Sequence, residues 1–435
     1  MSNLARSLIN HRFDRIKLIS IIVFLMPVFF LTVKSWVTTS LFLLFFVCCW
    51  PIISNLTHYF SNRSKHFWMF LGCLLVPFFS EVFAQIGRGE IIGSSLDGPS
   101  RMLLTAVVFI YLSRADVSDV VKALSCGAMI GVLGVAFSLL VFPEQYWQHR
   151  AATYFVDPIT LPCFTIALLG LSLFLGDRVF PTRFSVIFKA ILTIVAAYVA
   201  VESYSRSAWV AFICLLTVYV IYSFRHSFKT QVIGVVGLLI GLILFYFLSD
   251  IVYSRINESV RGVLAFLLQD EDLRHTVQHT SSGQRILLGL IDVHLILGSP
   301  FFGVSDRESL PPYEQLLGGM PILTKEIYEI KILAGSHTEI LAQLVRQGII
   351  FGSFTLCSLF FYPLYVIVWR FRRITFGDGS LLVGALGIII PILASSLTIQ
   401  VFNLKMTISF YGLCLAIFFA GLCWNIEKES TKNLI

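Results

Sequence analysis

The chain has 435 residues, of which 57% are apolar and only 13% charged, and its mean hydropathy is +0.84. A soluble globular protein carries nearer a quarter charged residues, so this composition would leave broad apolar surface facing water and excludes a soluble enzyme. The net charge of +7 is informative by position rather than by sum. All nine cysteines fall in apolar stretches and none in polar loops, which suggests neither a disulfide framework nor a Cys-based metal site.

Apolar runs long enough to cross ~30 Å of hydrocarbon recur along the whole length. The polar stretch Met1 to Lys17 leads into the first without a small-residue cleavage pattern, so that helix is expected to stay as an anchor. Twelve spans are predicted, at 18–33, 36–55, 67–85, 100–113, 122–142, 159–176, 186–202, 208–224, 231–249, 345–369, 380–399 and 407–424. The fourth reaches membrane length only if 98–101 lie at the interface. Trp36, Trp50, Trp68, Trp209, Trp369 and Trp424 sit near span ends, as an interfacial aromatic belt requires.

With the N-terminus inside, the cytoplasmic segments hold eighteen Lys/Arg, counting Lys122 and Lys189 at adjoining span ends. The short outer loops hold six, namely Lys34, Arg88, Arg101, Arg150, Arg206 and Lys405. That bias places both termini in the cytoplasm. The expected organisation is therefore nine transmembrane helices over 1–249, one large outer (periplasmic) loop over 250–344, and three more helices with a cytoplasmic tail over 345–435.

The large loop carries its own apolar helix candidate, "SGQRILLGLIDVHLIL" from Ser282 to Leu297, with Gly298 and Pro300 as stop signals. Sixteen residues make about 24 Å, short for a span, so this helix is expected along the membrane surface or against the bundle. Beyond it, Pro311, Pro312, Gly318, Gly319 and Pro321 break the chain.

The segment "GSHTEILAQLVRQGIIFG", Gly335 to Gly352, offers the most chemistry. Ser336 and Glu339 read as a capping box, which would put His337 in the first helical turn on the outer face. The positive end of the helix dipole disfavours imidazolium and keeps the ring available as a base, and Glu339 is placed to orient it. The plainer alternative is an interfacial histidine near a cap. Arg206 in "ESYSRSAW" and Arg285 in "SSGQR", with Ser282 as its N-cap, join Arg150 and Arg101 at the outer ends of spans. Guanidinium forks at an outer interface suit the oxygens of an anionic substrate, while snorkelling to lipid phosphates is the ordinary explanation for any one of them. His275 and His279 have helical zinc spacing but no third ligand, and Glu81, Asp97 and Glu202 lie in or beside spans without forming a paired acidic metal motif.

Taken in order, "LDGPSRMLL", "RAATYFVDPI", "SRSAW", "SGQRILLGLIDVHLILGSPFFGVS" and "SHTEILAQLVRQGIIFG" resemble the O-antigen ligase and polymerase superfamily. The resemblance covers most of the chain after about residue 90. Members often carry His-Asn where this chain has His337-Thr338. It implies an all-α integral membrane glycosyltransferase of the GT-C kind, in the bacterial inner membrane, with its site on the periplasmic side. Such an enzyme moves O-antigen polysaccharide from undecaprenyl diphosphate to a hydroxyl of lipid A–core, without a metal or other cofactor. Its partners would be those two lipids and the surrounding membrane lipids, with no nucleic acid. By similarity His337 matches the histidine that activates the acceptor hydroxyl, and Arg206 and Arg285 match the arginines that hold the donor diphosphate. Arg150, Arg101 and Glu339 are further substrate-binding candidates.

Two alternatives stay open. A polymerase shares the site chemistry and takes another lipid-linked repeat as acceptor. The Arg-x10-Gly spacing of Arg307 and Gly318, known from some polymerases, is what chance would supply in a chain with 29 glycines. A twelve-helix transporter of lipid-linked sugars would show internal repeat symmetry and mid-membrane charge, and neither stands out here.

Overall fold

The structure is a computed structural model. It describes residues 3–142, 150–268, 281–304, 313–314, 316, 324–371, 379–402 and 404–432. The histidine pair 275/279, the prolines and glycines of 311–321 and the 307/318 spacing lie outside the described residues, apart from isolated positions.

Among the described residues all regular structure is helical. In chain order the helices are α1 (Asn3–Phe29), α2 (Trp36–Ser54), the short α3 (Leu56–Phe60), α4 (Lys65–Arg88), α5 (Gly93–Leu112), α6 (Ser118–Val141), α7 (Thr160–Leu175), α8 (Thr182–Glu202), α9 (Arg206–Ser223), α10 (Phe228–Leu248) and α11 (Asp250–Leu268). There follow α12 (Ser281–Gly298), α13 (Lys325–Ala334), α14 (Glu339–Leu356), a π-helical turn at Cys357–Phe361, α15 (Tyr362–Phe371), α16 (Gly379–Ser396) and α17 (Lys405–Lys432). Among the described residues nine helices are long and apolar enough to cross a membrane, and this is a multi-pass membrane protein. The predicted spans at 18–33, 100–113 and 380–399 fall on α1, α5 and α16, which are helical but do not meet that measure.

The core of the bundle follows from which helices are apolar all round. Every residue of α7 from Thr160 to Leu175 is buried, and so is the apolar stretch of α17. Between α7 and α16 the backbones touch, because a Cβ on Gly170 would collide with the Gly387 carbonyl and one on Gly387 with that of Gly170. Small residues permit this close approach, which drives helix association in lipid where hydrophobicity cannot. Helix α10 is at the other extreme: apolar from Val232 to Leu248, unburied among the described residues, and packed mainly on α9 and α11. Such a helix is stable where lipid covers it.

The ends of α4 orient the rest. Near its start, Arg63 pairs with Glu427 of α17 at 2.7 Å. At its far end, Arg88 donates to the carbonyls of Phe302 and, at 2.7 Å, of Arg346. The loop helices therefore gather at this second end. Helix α12 packs on α14, α11 and α13, and its face of Leu287, Leu288, Ile291 and Leu295 builds a small second core with Leu316 and Ile327. This short apolar helix, expected along the membrane surface or against the bundle, packs on these helices and ends at Gly298, where its sequence places a stop.

Helix α14 is two helices joined at Gly348, whose φ of 75° no β-carbon residue adopts cheaply. The Phe301–Val304 turn docks into this kink. Ile349 N–H donates to the Pro300 carbonyl at 2.7 Å, and Val304 N–H to Val345 at 2.7 Å. The kink separates a polar amphipathic segment, Glu339–Gln347, from the apolar part that continues into the bundle.

Candidate active site

The segment Gly335–Thr338 enters α14 differently from the capping box read in the sequence. Thr338, not Ser336, is the N-cap: its hydroxyl accepts from Leu341 N–H at 3.1 Å. Ser336 is drawn away because its hydroxyl donates to Asp292 of α12 at 2.8 Å and accepts from Lys331 of α13 at 3.0 Å. Lys331 also pairs directly with Asp292, the two side chains being 3% and 0% exposed. Burial without the second carboxylate oxygen being matched raises the Asp292 pKa, a rise opposed by Lys331 and Ser336. A buried Asp–Lys–Ser cluster thus pins three elements together immediately beside His337.

His337 accordingly precedes the helix rather than occupying its first turn. Burial first, then the charges of Arg285 and Lys331, bring its pKa from 6.5 down to about 4. The ring is neutral at physiological pH, as expected from the sequence, but for a different reason. Glu339 does not orient it. That carboxylate accepts from Gln343 Nε2 at 2.6 Å and from Phe402 N–H at 3.0 Å, facing away toward the α16–α17 connection. The cause is tertiary, since Glu339 N–H also pairs with the Ile399 carbonyl at 3.0 Å.

His337, Arg285, Asp292 and Thr338 line one cavity of about 240 Å³. Arg206 opens α9 after a tight turn in which Tyr204 takes φ 54°. Its guanidinium donates to Ser259 of α11 and, at 3.0 Å, to Ser282 of α12. Ser282 was expected to cap α12; instead it anchors the arginine. Arg150 donates from Nε to the Ser203 carbonyl at 2.9 Å, and Ala151 N–H pairs with Glu202 at 2.9 Å, which fastens the 150 loop to the same turn. Arg206 and Arg150 act electrostatically on Arg285, and with its burial they lower the Arg285 pKa. Burial and then Arg255 lower that of Arg150.

Four arginines, Arg150, Arg206, Arg255 and Arg285, therefore share one region. Arg255 escaped the sequence reading; it lies on α11, pairs with Glu258 at 3.0 Å and sits 5.6 Å from the Tyr204 ring. Among the described residues Arg285 has neither a hydrogen bond nor an ion pair, although it lies at the cavity wall and is repelled by two other arginines. A half-buried guanidinium at a cavity wall offers a fork suited to the oxygens of an anion.

Arg101 stands apart from this cluster. It pairs with Asp97 at 2.7 Å, a carboxylate that it shares with Lys405 of α17. Glu81 is likewise structural: wholly buried, it accepts from Gln85 at 3.0 Å and Gln347 at 2.9 Å and meets Arg346 at 3.1 Å.

Residues 191–356, from α8 through α14, match the family model described as O-antigen ligase. This stretch contains Arg206, Arg255, Arg285, Asp292, Lys331 and His337. No curated protein matches the chain.

Proposed function

We propose that the protein, whose residues 191–356 match the O-antigen ligase family model, is a glycosyltransferase that moves O-antigen polysaccharide from undecaprenyl diphosphate to a hydroxyl of lipid A–core. The observation that carries this reading is Arg285, without a counter-ion among the described residues, beside a neutral His337 in one cavity. A diphosphate seated against Arg285, Arg206 and Arg150 gains negative charge as the glycosidic bond breaks, so arginines aimed at it stabilise the transition state more than the ground state. The neutral His337 ring takes the proton from the attacking acceptor hydroxyl as the new glycosidic bond forms. Because both substrates are lipids, the site belongs at a membrane surface. The Lys/Arg bias supports an outer-face site with both termini cytoplasmic and 250–344 outside, and the family resemblance implies that this is the periplasmic face of the inner membrane, in a GT-C-like fold. No step needs a cofactor.

Purified protein incubated with both lipids tests the assignment. His337→Ala is expected to abolish transfer while the variant inserts and purifies normally, and Arg285→Ala to lower the rate by ~10²–10³, the usual cost of one transition-state donor. Normal transfer by either variant refutes the role given to that residue. A second reading, polymerisation of lipid-linked repeats, uses the same residues and differs only in acceptor.

A further inference from the structure

A second, larger cavity of about 370 Å³ lies on the opposite side of the Gly335–Thr338 segment. The Asp292–Lys331–Ser336 cluster is the partition, with Asp292 on the His337 side and Lys331 and Ser336 on the other. Its volume falls within the ~300–1,000 Å³ of ordinary small-molecule sites.

The two chambers differ in charge. Around the smaller one, arginines outnumber carboxylates and Arg285 has no counter-ion among the described residues. Each cation lining the larger one has a carboxylate partner: Arg346 meets Glu81 at 3.1 Å, Lys405 pairs with Asp97, which Arg101 shares, and Lys331 pairs with Asp292. Lining cations that already have carboxylate partners offer a phosphate less than Arg285 does. What the lining does offer is hydrogen-bonding groups in fixed positions. Gln343 and Gln347 are buried and held, Gln343 by Glu339 and Arg346, Gln347 by Glu81 and Thr355. Gln400 is half-buried, lines the chamber, and its carboxamide has no hydrogen bond among the described residues. Phe402 closes one side, fixed by ring contacts to Phe360 at 6.0 Å and Tyr411 at 5.2 Å.

The Gln400 carboxamide, which can donate and accept at once, beside the Glu339 carboxylate and a rigid aromatic face, matches a pyranose, which presents hydroxyls around its rim and C–H groups on its faces. We propose that this chamber is a saccharide-binding subsite, separate from the diphosphate site and joined to it across the Gly335–Thr338 segment. The proposal rests on the transferase reading for the source of the saccharide, which is either the core glycan of the acceptor or the polymer of the donor.

The test is equilibrium binding to the detergent-solubilised full chain. Three probes are used: lipid-free core oligosaccharide, lipid-free O-antigen oligosaccharide, and saccharide-free undecaprenyl diphosphate. One of the two oligosaccharides is expected to bind, and Gln400→Leu to weaken it at least tenfold while undecaprenyl diphosphate binds as before. Which oligosaccharide responds identifies the source. If Gln400→Leu does not purify, Ser95→Trp, which fills the chamber from its half-exposed wall, carries the same comparison. Binding of neither oligosaccharide, or binding indifferent to both substitutions, overturns the proposal. Failure of undecaprenyl diphosphate to bind the wild type strikes instead at the donor assignment, and so separates the two outcomes.

Discussion

Removing the Asp292 carboxylate is the sharpest perturbation of the site that leaves its arginines and histidine in place. Asp292 and Lys331 are 0% and 3% exposed, so Asp292→Ala leaves an ammonium buried without its carboxylate and takes the acceptor from Ser336 Oγ, 2.8 Å away. Breaking a buried pair from one side typically costs ~3–5 kcal/mol, whereas replacing both partners by apolar groups is often neutral or stabilising. Part of that cost lands on α13 and the Gly335–Thr338 segment, which the cluster ties to α12. Thermal unfolding of the detergent-solubilised protein should therefore show Asp292→Ala and Lys331→Met each several degrees below wild type, and the double variant Asp292→Ala/Lys331→Met well above either single one. Transfer should fall more than tenfold in all three, because His337 loses its mooring even where stability returns. Single variants that melt like wild type, or a double variant no better than the singles, would refute the pairing. Recovery of both stability and transfer in the double variant would refute the positioning role.

Three further outcomes follow from the same geometry. Holding His337 neutral with a pKa of about 4 against the usual 6.5 means that the folded protein binds fewer protons than the unfolded chain between those values. The contribution to stability is intact above pH 6.5 and lost as pH falls toward 4. A bound diphosphate cancels the repulsion from Arg285, so the acidic limb of kcat should lie at higher pH than that of kcat/KM; coincident limbs would contradict His337 as the base. Arg206→Lys should lose most transfer, since an ammonium cannot hold Ser259 and Ser282 while presenting a bidentate fork, and full activity in a rate assay would remove Arg206 from the donor site. Gly170→Ala drives a Cβ into the Gly387 carbonyl and should lower the thermal midpoint by an amount equivalent to ~1–3 kcal/mol, with Gly387→Ala behaving alike; an unchanged midpoint would show that α7 and α16 do not rely on close approach.

The helices were legible because lipid demands a long apolar run for each span, and the predicted runs coincide with helices down to the stop of α12 at Gly298. Arg206 and Arg285 stood out in the sequence because, in the orientation read from the charge bias, cations on the outer side run against it. What the sequence concealed is tertiary. Ser336 and Glu339 have capping-box spacing, yet Asp292 and Lys331 claim the serine and Phe402 N–H claims the glutamate. Asp292 itself reads as one acidic residue in an apolar helix, and Arg255 as one half of a surface pair with Glu258, three residues on. Arg101 is an outer-end arginine by position, and the structure sets it apart from the other arginines, on an Asp97 that Lys405 shares.

The most direct test of the transferase assignment is the glycolipid profile of a strain lacking this protein, resolving lipopolysaccharide and the undecaprenyl-linked pool together. Long polymer stranded on undecaprenyl diphosphate beside bare lipid A–core is the predicted result. Lipid A–core carrying a single repeat would instead identify a polymerase, and a profile unchanged in both pools would contradict the account.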